Sequence, residues 1–300
     1  MSETATLTGA QTKIRPRRRE NRLVGWLFVL PFILFYVAFL VFPALQVFYL
    51  SLTNSDVAGQ GRFTGLQNYL ALLQDSDFWG AVLHTGYFVL LTVVPNALVG
   101  FVLALLVVRM RRLRLFVLAA FFLPNVLPVS VVTSTATWIL DTNFGIVNYL
   151  TGSNIAWFQD PTWAMPAVAA VTIWWTTGFN MLLFIAGLQT IPNEYYEAAA
   201  LDGASGWQRF WFVTCPLVWP VMSLVLILQL IAQFKIFDQV YLLTQGGPFN
   251  STIVVLLYMY RQAFSQNRGG YAAAVAVILV LIITLASLLQ FRILRIRRSA

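Results

Sequence analysis

Five polar side chains interrupt one long apolar stretch of the sequence, and their types and spacing are suited to ion pairing or to binding a polar solute. Within residues 218–243 they are Gln229, Gln233, Lys235, Asp238 and Gln239. Charged groups at membrane depth are costly and usually face a partner or a water-filled cavity. On a continuous helix, Lys235 and Asp238 are three residues apart and share a face, so they can pair. Two interpretations stay open: a structural ion pair, and side chains that line a path for a solute.

The remaining polar residues do not predict an enzyme. A phosphate-binding loop needs a lysine after its glycines, and the two lysines, Lys13 and Lys235, lie in no such setting. We see no nucleophile, base and acid in a common pattern. The single His84 and single Cys215 exclude a disulfide within the chain and a metal site built from histidines or cysteines. We therefore expect neither catalysis nor a cofactor in this chain.

The composition is that of a membrane protein with several spans. Of the 300 residues, 59% are hydrophobic and 10% are charged, whereas about a quarter are charged in soluble domains. The net charge is +8, but the arginines gather at the ends of apolar runs rather than on an amphipathic face. This distribution favours membrane topology over nucleic-acid binding.

Six apolar runs are long enough to cross a bilayer, which takes about 20 residues. We therefore predict an all-α membrane protein with six transmembrane helices. Residues 1–22 form a basic tail, and we do not read it as a cleavable signal because the first run is too long. The predicted spans are Leu23–Leu50, Ala81–Val108, Leu115–Leu140, Trp163–Leu188, Val218–Leu243 and Tyr271–Phe291.

The basic residues predict how these spans are oriented. Fifteen of the 19 Lys and Arg residues lie in four segments that six spans place on one side: 1–22, 109–114, 189–217 and 292–300. Cytoplasmic loops carry an excess of Lys and Arg. Both termini and the segment 189–217 are therefore predicted to be cytoplasmic.

The segment 189–217, between the fourth and fifth spans, reads as two short helices with a bend. Asn193 can cap the first helix, and Gly203 can end it because glycine reaches left-handed backbone angles. Ser205 and Gln208 have the spacing of a capping box that begins the second helix. The segment is thus predicted to form a helical hairpin outside the membrane.

The same hairpin carries a family resemblance. Glu197-Ala198-Ala199, followed by Gly203 and then by Pro216, resembles the EAA loop of binding-protein-dependent ABC importer permeases. Val213 and Cys215 depart from the usual residues but stay apolar. The string Phe237–Pro248 resembles the sugar and glycerol-phosphate branch, and the whole chain is most similar to a maltose-type first permease subunit.

The resemblance implies that residues 23–300 form the six-helix transmembrane domain of such an importer in a bacterial inner membrane. The chain would work with a second homologous permease, an ABC ATPase dimer that binds ATP and Mg²⁺, and an extracytoplasmic solute-binding protein. The hairpin would dock on the ATPase and couple its cycle to alternating access. The implied coupling residues are Glu197, Ala198, Ala199, Asp202, Gly203 and Ala204.

A sugar-like solute suggests further candidate residues, because amides match hydroxyl groups and aromatic rings offer flat apolar faces. For any single one of these residue types, packing between helices is the better explanation. The sequence leaves open whether the solute is a sugar, an oligosaccharide or glycerol phosphate. The candidates for a solute path are Trp138, Trp174, Asn180, Gln229, Gln233, Lys235, Asp238 and Tyr241.

A gradient-driven secondary transporter or a channel is the alternative function. Such proteins often carry internal repeats and charged relay residues within their spans. Here only Lys235 and Asp238 qualify as charged residues in a span, and no repeat is evident.

Overall fold

The long apolar runs form helices in the computed structural model, which describes residues 22–110 and 112–296. Three π-helical turns, Val37–Val41, Phe210–Thr214 and Arg261–Ser265, continue neighbouring helices. The α-helices are α1 (Arg22–Tyr36), α2 (Phe42–Leu50), α3 (Gln67–Gln74), α4 (Ser76–Arg109), α5 (Arg114–Val126), α6 (Val129–Ile139), α7 (Ile146–Thr151), α8 (Pro161–Gln189), α9 (Asn193–Leu201), α10 (Gly206–Arg209), α11 (Cys215–Phe234), α12 (Asp238–Leu243), α13 (Val255–Tyr260) and α14 (Gly269–Ile296).

The predicted all-α membrane architecture is confirmed. Five helical stretches of the described chain are long and apolar enough to cross a membrane, and α5 with α6 forms a bent sixth. The five are Trp26–Leu50, Ser76–Arg109, Pro161–Gln189, Gly206–Phe234 and Gly269–Leu294. Of the predicted basic tail 1–22, residues 1–21 lie outside the described residues.

The residues up to Gln46 and those from Val47 onward form two separate units, and the second contains α3 to α14.

The third span is broken, where the sequence predicts one continuous helix. The axes of α5 and α6 differ by 106°, and the break falls at Leu127 and Pro128. A residue before proline is driven away from helical backbone angles, and Leu127 accordingly has ψ 142°. Pro128 then takes the position before the first turn of α6. The break presents α6 at a steep angle to α5.

The fifth span ends earlier than predicted, at Phe234 instead of Leu243, which corrects the pairing of Lys235 with Asp238. α11 ends at Phe234, and Asp238 begins the separate helix α12. Ile236 and Val240 are buried in the same apolar cluster, so their packing favours a turn of the chain here over a longer helix. Lys235 and Asp238 therefore do not share a helix face, and in the described part of the chain they form no ion pair.

α8 lies at the centre of the second unit. It packs along α4 and α5, and also against α6, α11 and α12. Phe88, Met165 and Val168 are buried in one apolar cluster, and Phe101 and Phe184 are buried in another. A side chain at Gly178 would collide with the backbone of Phe121, so this glycine allows α5 and α8 to approach closely.

A chain of amide and hydroxyl groups joins α4, α8 and α11 inside this apolar packing. The side-chain nitrogen of Asn96 donates to Thr176 Oγ1 at 2.7 Å and to Gln229 Oε1 at 3.2 Å. Thr177 Oγ1 donates to Asn96 Oδ1 at 2.8 Å. One asparagine on α4 thereby contacts both neighbouring spans.

Gln229 extends the network along α11 and back to α8. Its Nε2 donates to Asn180 Oδ1 at 2.9 Å, and its Oε1 accepts from Gln233 Nε2 at 2.9 Å. Asn180, Gln229 and Gln233 are all buried. Asn180 lies against Gly100, where a Cβ would come within 2.8 Å of the Asn180 Cβ. The glycine thus makes room for the network between α4 and α8.

A carboxylate joins the start of α4 to the two last helices of the chain. Asp75 accepts from the amides of Asp77 and Phe78, from Tyr258 Oη at 2.5 Å and from Tyr271 Oη at 2.6 Å. Burial by itself raises the pKa of Asp75, but these four hydrogen bonds outweigh it and the pKa is lowered. Burial, followed by the bond to Asp75, raises the pKa of Tyr258.

We predict that Gln229→Leu destabilises the chain, because Asn96, Asn180 and Gln233 each lose a buried hydrogen-bond partner. The expected loss in the free energy of unfolding is about 1–2 kcal/mol. Titration of the purified chain in detergent micelles with a denaturing detergent measures it.

Thr284→Val is the matched control, because the Thr284 hydroxyl donates only to the carbonyl of Val280 in its own helix. This control should cost less than about 0.5 kcal/mol. Equal and small losses for both variants would contradict a role of the network in joining the spans.

Candidate functional site

A helical hairpin connects α8 to α11 within the predicted segment 189–217. α9 and α10 form its two arms, and Gly203 lies at the bend with φ +77°. The amide of Gly203 donates to Ala200 O at 3.1 Å, and the amide of Ala204 donates to Ala199 O at 2.9 Å. These bonds close the end of α9, and the left-handed angle explains the glycine.

The predicted caps are partly correct. Ser205 and Gln208 form the reciprocal capping box: Ser205 N donates to Gln208 Oε1 at 2.7 Å, and Gln208 N donates to Ser205 Oγ at 3.3 Å. The expected cap by Asn193 is wrong. α9 already begins at Asn193, and Pro192 takes the capping position without a side-chain bond.

The predicted coupling residues form one largely exposed surface at the bend of the hairpin. Four of them are exposed and two, Ala199 and Ala204, are half-buried. The exposed members are Glu197, Ala198, Asp202 and Gly203. Small side chains on this surface leave the helix backbone open to close approach by another molecule.

The opposite side of the hairpin is fixed to the spans. Ile191 is buried, and Tyr196 and Phe210 pack against the cluster that contains Phe101 and Phe184. The hydroxyl groups of Tyr196 and Thr214 are 3.1 Å apart and hydrogen-bonded. A displacement of α9 would therefore be transmitted to the start of α11.

Sequence reasoning missed Leu201. This large apolar side chain ends α9 next to the bend and is 90% exposed. The sequence carries no signal for it, because the exposure of a single leucine at a helix end is decided by the fold. An isolated exposed leucine beside small residues suits insertion into an apolar groove.

Three of the eight candidates for a solute path are buried inside the chain. Asn180, Gln229 and Gln233 belong to the network that joins α4, α8 and α11, and they donate to or accept from one another. In this structure they hold helices together and do not face an open cavity.

Four other candidates are exposed on α6 or around α12. Trp138 is 71% exposed, and Lys235, Asp238 and Tyr241 are also exposed. α6 and α12 pack against each other through their apolar faces, on which Val132 and Val240 are fully buried. The exposed side chains of Lys235, Asp238 and Tyr241 give the surface around α12 amine, carboxylate and phenol groups, and Trp138 adds an exposed indole on α6. The eighth candidate, Trp174, is exposed on α8.

Aromatic rings that sequence reasoning did not single out extend this surface. Phe237 stacks on Tyr241 with centroids 5.4 Å apart, and Tyr260 packs on both rings. Phe264 continues the group at 5.0 Å from Tyr260. Phe237 lies at the break after α11, and Tyr260 ends α13.

The described residues, 22–110 and 112–296, contain no group of three or more His, Cys, Asp or Glu side chains that could hold a metal ion.

Curated relatives match nearly the whole chain. This chain is 33% identical over 273 residues to the probable starch degradation products transport system permease protein of Thermoanaerobacterium thermosulfurigenes. The match covers 90% of this chain and 94% of that protein. The chain is 34% identical over 305 residues to the lactose transport system permease protein of Rhizobium radiobacter, covering 96% and 100%. The trehalose/maltose transport system permease protein of Thermococcus litoralis is 32% identical over 289 residues, with 94% and 96% covered.

Two solved structures share the fold. One is a bacterial ABC transporter involved in the import of the acidic polysaccharide alginate, with TM-score 0.80 and 22% identity over 91% of this chain and 95% of that chain. The other is the alginate ABC transporter in complex with its pentasaccharide-bound periplasmic protein, with TM-score 0.82 and 21% identity over 93% and 96%.

The family model for binding-protein-dependent transport system inner membrane components matches residues 96–298, which is more than half of the chain and includes the hairpin. The arrangement of helices and the relatives named as permeases agree with this match. The chain belongs to the family of binding-protein-dependent transport system inner membrane components, the permease subunits of ABC importers rather than enzymes.

Proposed function

We propose that this chain forms half of the path for a sugar or sugar-like solute in an ATP-driven importer, and that its hairpin couples the path to an ATPase. The proposal rests on the hairpin of this permease, which has an exposed bend and a base that is fixed to the spans. Leu201 and Gly203 are exposed at its bend, and Tyr196 is fixed to Thr214 at its base. Family membership disfavours the alternative of a gradient-driven transporter or channel.

The proposed partners follow from the family, whose permeases work with other subunits. They also follow from the sequence, in which neither lysine lies in a phosphate-binding loop. A second homologous permease completes the path, and an ABC ATPase dimer binds ATP and Mg²⁺ on the side of the hairpins. A solute-binding protein delivers the solute from the other side. The solved relative that was crystallised with its periplasmic protein supports this part of the proposal.

The proposed orientation places the hairpin and both termini in the cytoplasm, with the chain in a bacterial inner membrane. The excess of Lys and Arg in segments 1–22, 109–114 and 292–300 supports this orientation. The hairpin then lies where an ATPase can reach it.

In the proposed coupling step, α9 lies in a groove of the ATPase. Leu201 fills an apolar part of that groove, Ala198 and Ala199 allow close contact, and Glu197 and Asp202 offer polar contacts. ATP binding shifts the permease between its two states only if those states differ in their affinity for the ATP-bound dimer. The bond from Tyr196 to Thr214 passes the displacement to α11.

The proposed solute surface consists of Trp138, Lys235, Asp238 and Tyr241 on α6 and around α12. Aromatic rings stack on the apolar faces of sugars, and polar groups bind the hydroxyls. Relatives named for lactose, trehalose and maltose, and starch degradation products support this solute class. Lys235 would also suit an anionic sugar.

We predict that Gly203→Asp abolishes ATP-dependent uptake but leaves membrane insertion intact. The new side chain strains the left-handed turn and adds charge at the docking surface, whereas the bend lies outside the spans. The measurement is solute uptake at matched expression, together with the amount of ATPase that co-purifies with the chain.

Gly152→Asp is the matched control. Gly152 also follows a helix, has φ +65° and has open space around its α-carbon. The control should keep uptake within about twofold, since the local strain of about 1–2 kcal/mol is similar. Normal uptake by Gly203→Asp would refute the coupling role.

We predict that Trp138→Ala lowers the rate of uptake at limiting solute about tenfold, the effect of one lost stacking contact of roughly 1.4 kcal/mol. Phe116→Ala is the control, because Phe116 is an aromatic residue of similar exposure, 73%, on α5. Uptake is measured with the sugar that the associated binding protein recognises. Equal rates of uptake for the two variants would contradict the proposed contact between Trp138 and the solute.

A further inference from the structure

Two adjoining cavities lie where α4 meets the hairpin, and the same two residues, Leu105 and Arg109, line both. The first has a volume of about 480 Å³ and is lined by Arg109, Arg114, Asn193 and Tyr196 among others. The second has a volume of about 440 Å³ and is lined mainly by apolar groups. Together they form a site with a cationic part and an apolar part.

The cationic part holds two guanidinium groups, those of Arg109 and Arg114. Arg109 is exposed in the last turn of α4, and Arg114 is half-buried in the first turn of α5. Within the described residues, neither has an ion-pair or hydrogen-bond partner. Both line one cavity together with Asn193 and Tyr196, which carry polar side chains. Two arginines with neighbouring neutral donors are suited to a phosphate group.

The apolar part continues from Arg109 along α4. Val102 and Leu106 are exposed, and they lie on the same side of the helix as Arg109 because they precede it by seven and three residues. Trp207 and Phe210 from the hairpin form the other wall, and their rings are 5.9 Å apart. This part suits a hydrocarbon chain, and an indole beside it is typical of the membrane interface.

We propose that these two cavities bind one anionic phospholipid, with its phosphate at Arg109 and Arg114 and an acyl chain along Val102 and Leu106. Basic pockets between spans are recognised sites for anionic head groups. The combination of two guanidinium groups with a continuous apolar wall favours a lipid over free phosphate. Asn193, Tyr196 and Trp207 belong to the hairpin, so the lipid contacts the element that we assign to coupling. The binding itself does not depend on the proposed solute or ATPase.

The test is binding of phosphatidylglycerol to the purified full chain in mild detergent, followed by native mass spectrometry. Phosphatidylcholine and inorganic phosphate serve as the two comparison ligands. Arg109→Gln/Arg114→Gln should weaken phosphatidylglycerol binding about 25-fold, since each arginine near the membrane surface contributes about fivefold. Phosphatidylcholine should bind the unchanged chain at least tenfold more weakly, and inorganic phosphate should not displace the lipid.

Arg112→Gln/Arg292→Gln is the matched control, because it removes the same charge from positions outside both cavities and should bind as the unchanged chain does. Arg109→Lys/Arg114→Lys keeps the charge and should retain most of the lipid binding. This variant keeps the test valid if Arg109→Gln/Arg114→Gln does not fold. Val102→Trp narrows the apolar part and should weaken lipid binding without a change of charge. Equal binding by all variants, equal binding of the two lipids, or displacement by inorganic phosphate would overturn the proposal.

Discussion

The carboxamide of Asn96 illustrates the constraint on which the packed spans depend: polar groups in apolar surroundings must be bonded within the protein. It donates to Thr176 and Gln229 and accepts from Thr177, and it thereby joins α4, α8 and α11. An unpaired amide in such surroundings is costly, so the three helices can separate or slide only by exchanging these bonds. The network gives the bundle one preferred arrangement, and apolar side chains alone would define it less sharply.

Proline sterics and apolar burial explain where the chain departs from regular helix. Pro128 ends α5 early and turns α6 away, and the chain leaves α11 after Phe234 so that Ile236 and Val240 reach the apolar cluster. After these breaks, α6 and α12 pack against each other and leave Trp138 and Tyr241 exposed. Gly203 lies outside the helical stretches that are long and apolar enough to cross a membrane, and the backbone bends there with φ +77°.

The sequence predicted the helical class, the approximate spans and the capped hairpin, because apolar run length and capping residues act locally. It did not predict the break before Asp238, since burial of Ile236 and Val240 depends on contacts with distant helices. It could not separate Gln229, which bonds Asn96 across the bundle, from Tyr241, which is exposed. Leu201 escaped notice because exposure of a single leucine is decided by the fold and not by its neighbours in sequence.

The central claim is that this permease is driven by a separate ATPase through its hairpin. The most direct measurement is affinity purification of the tagged chain from its native membranes in mild detergent, with mass spectrometry to identify and quantify its partners. We expect a second permease in equal amount and an ABC ATPase at two copies per pair of permeases. A chain that purifies alone, and that still moves solute into vesicles without ATP, would contradict the account.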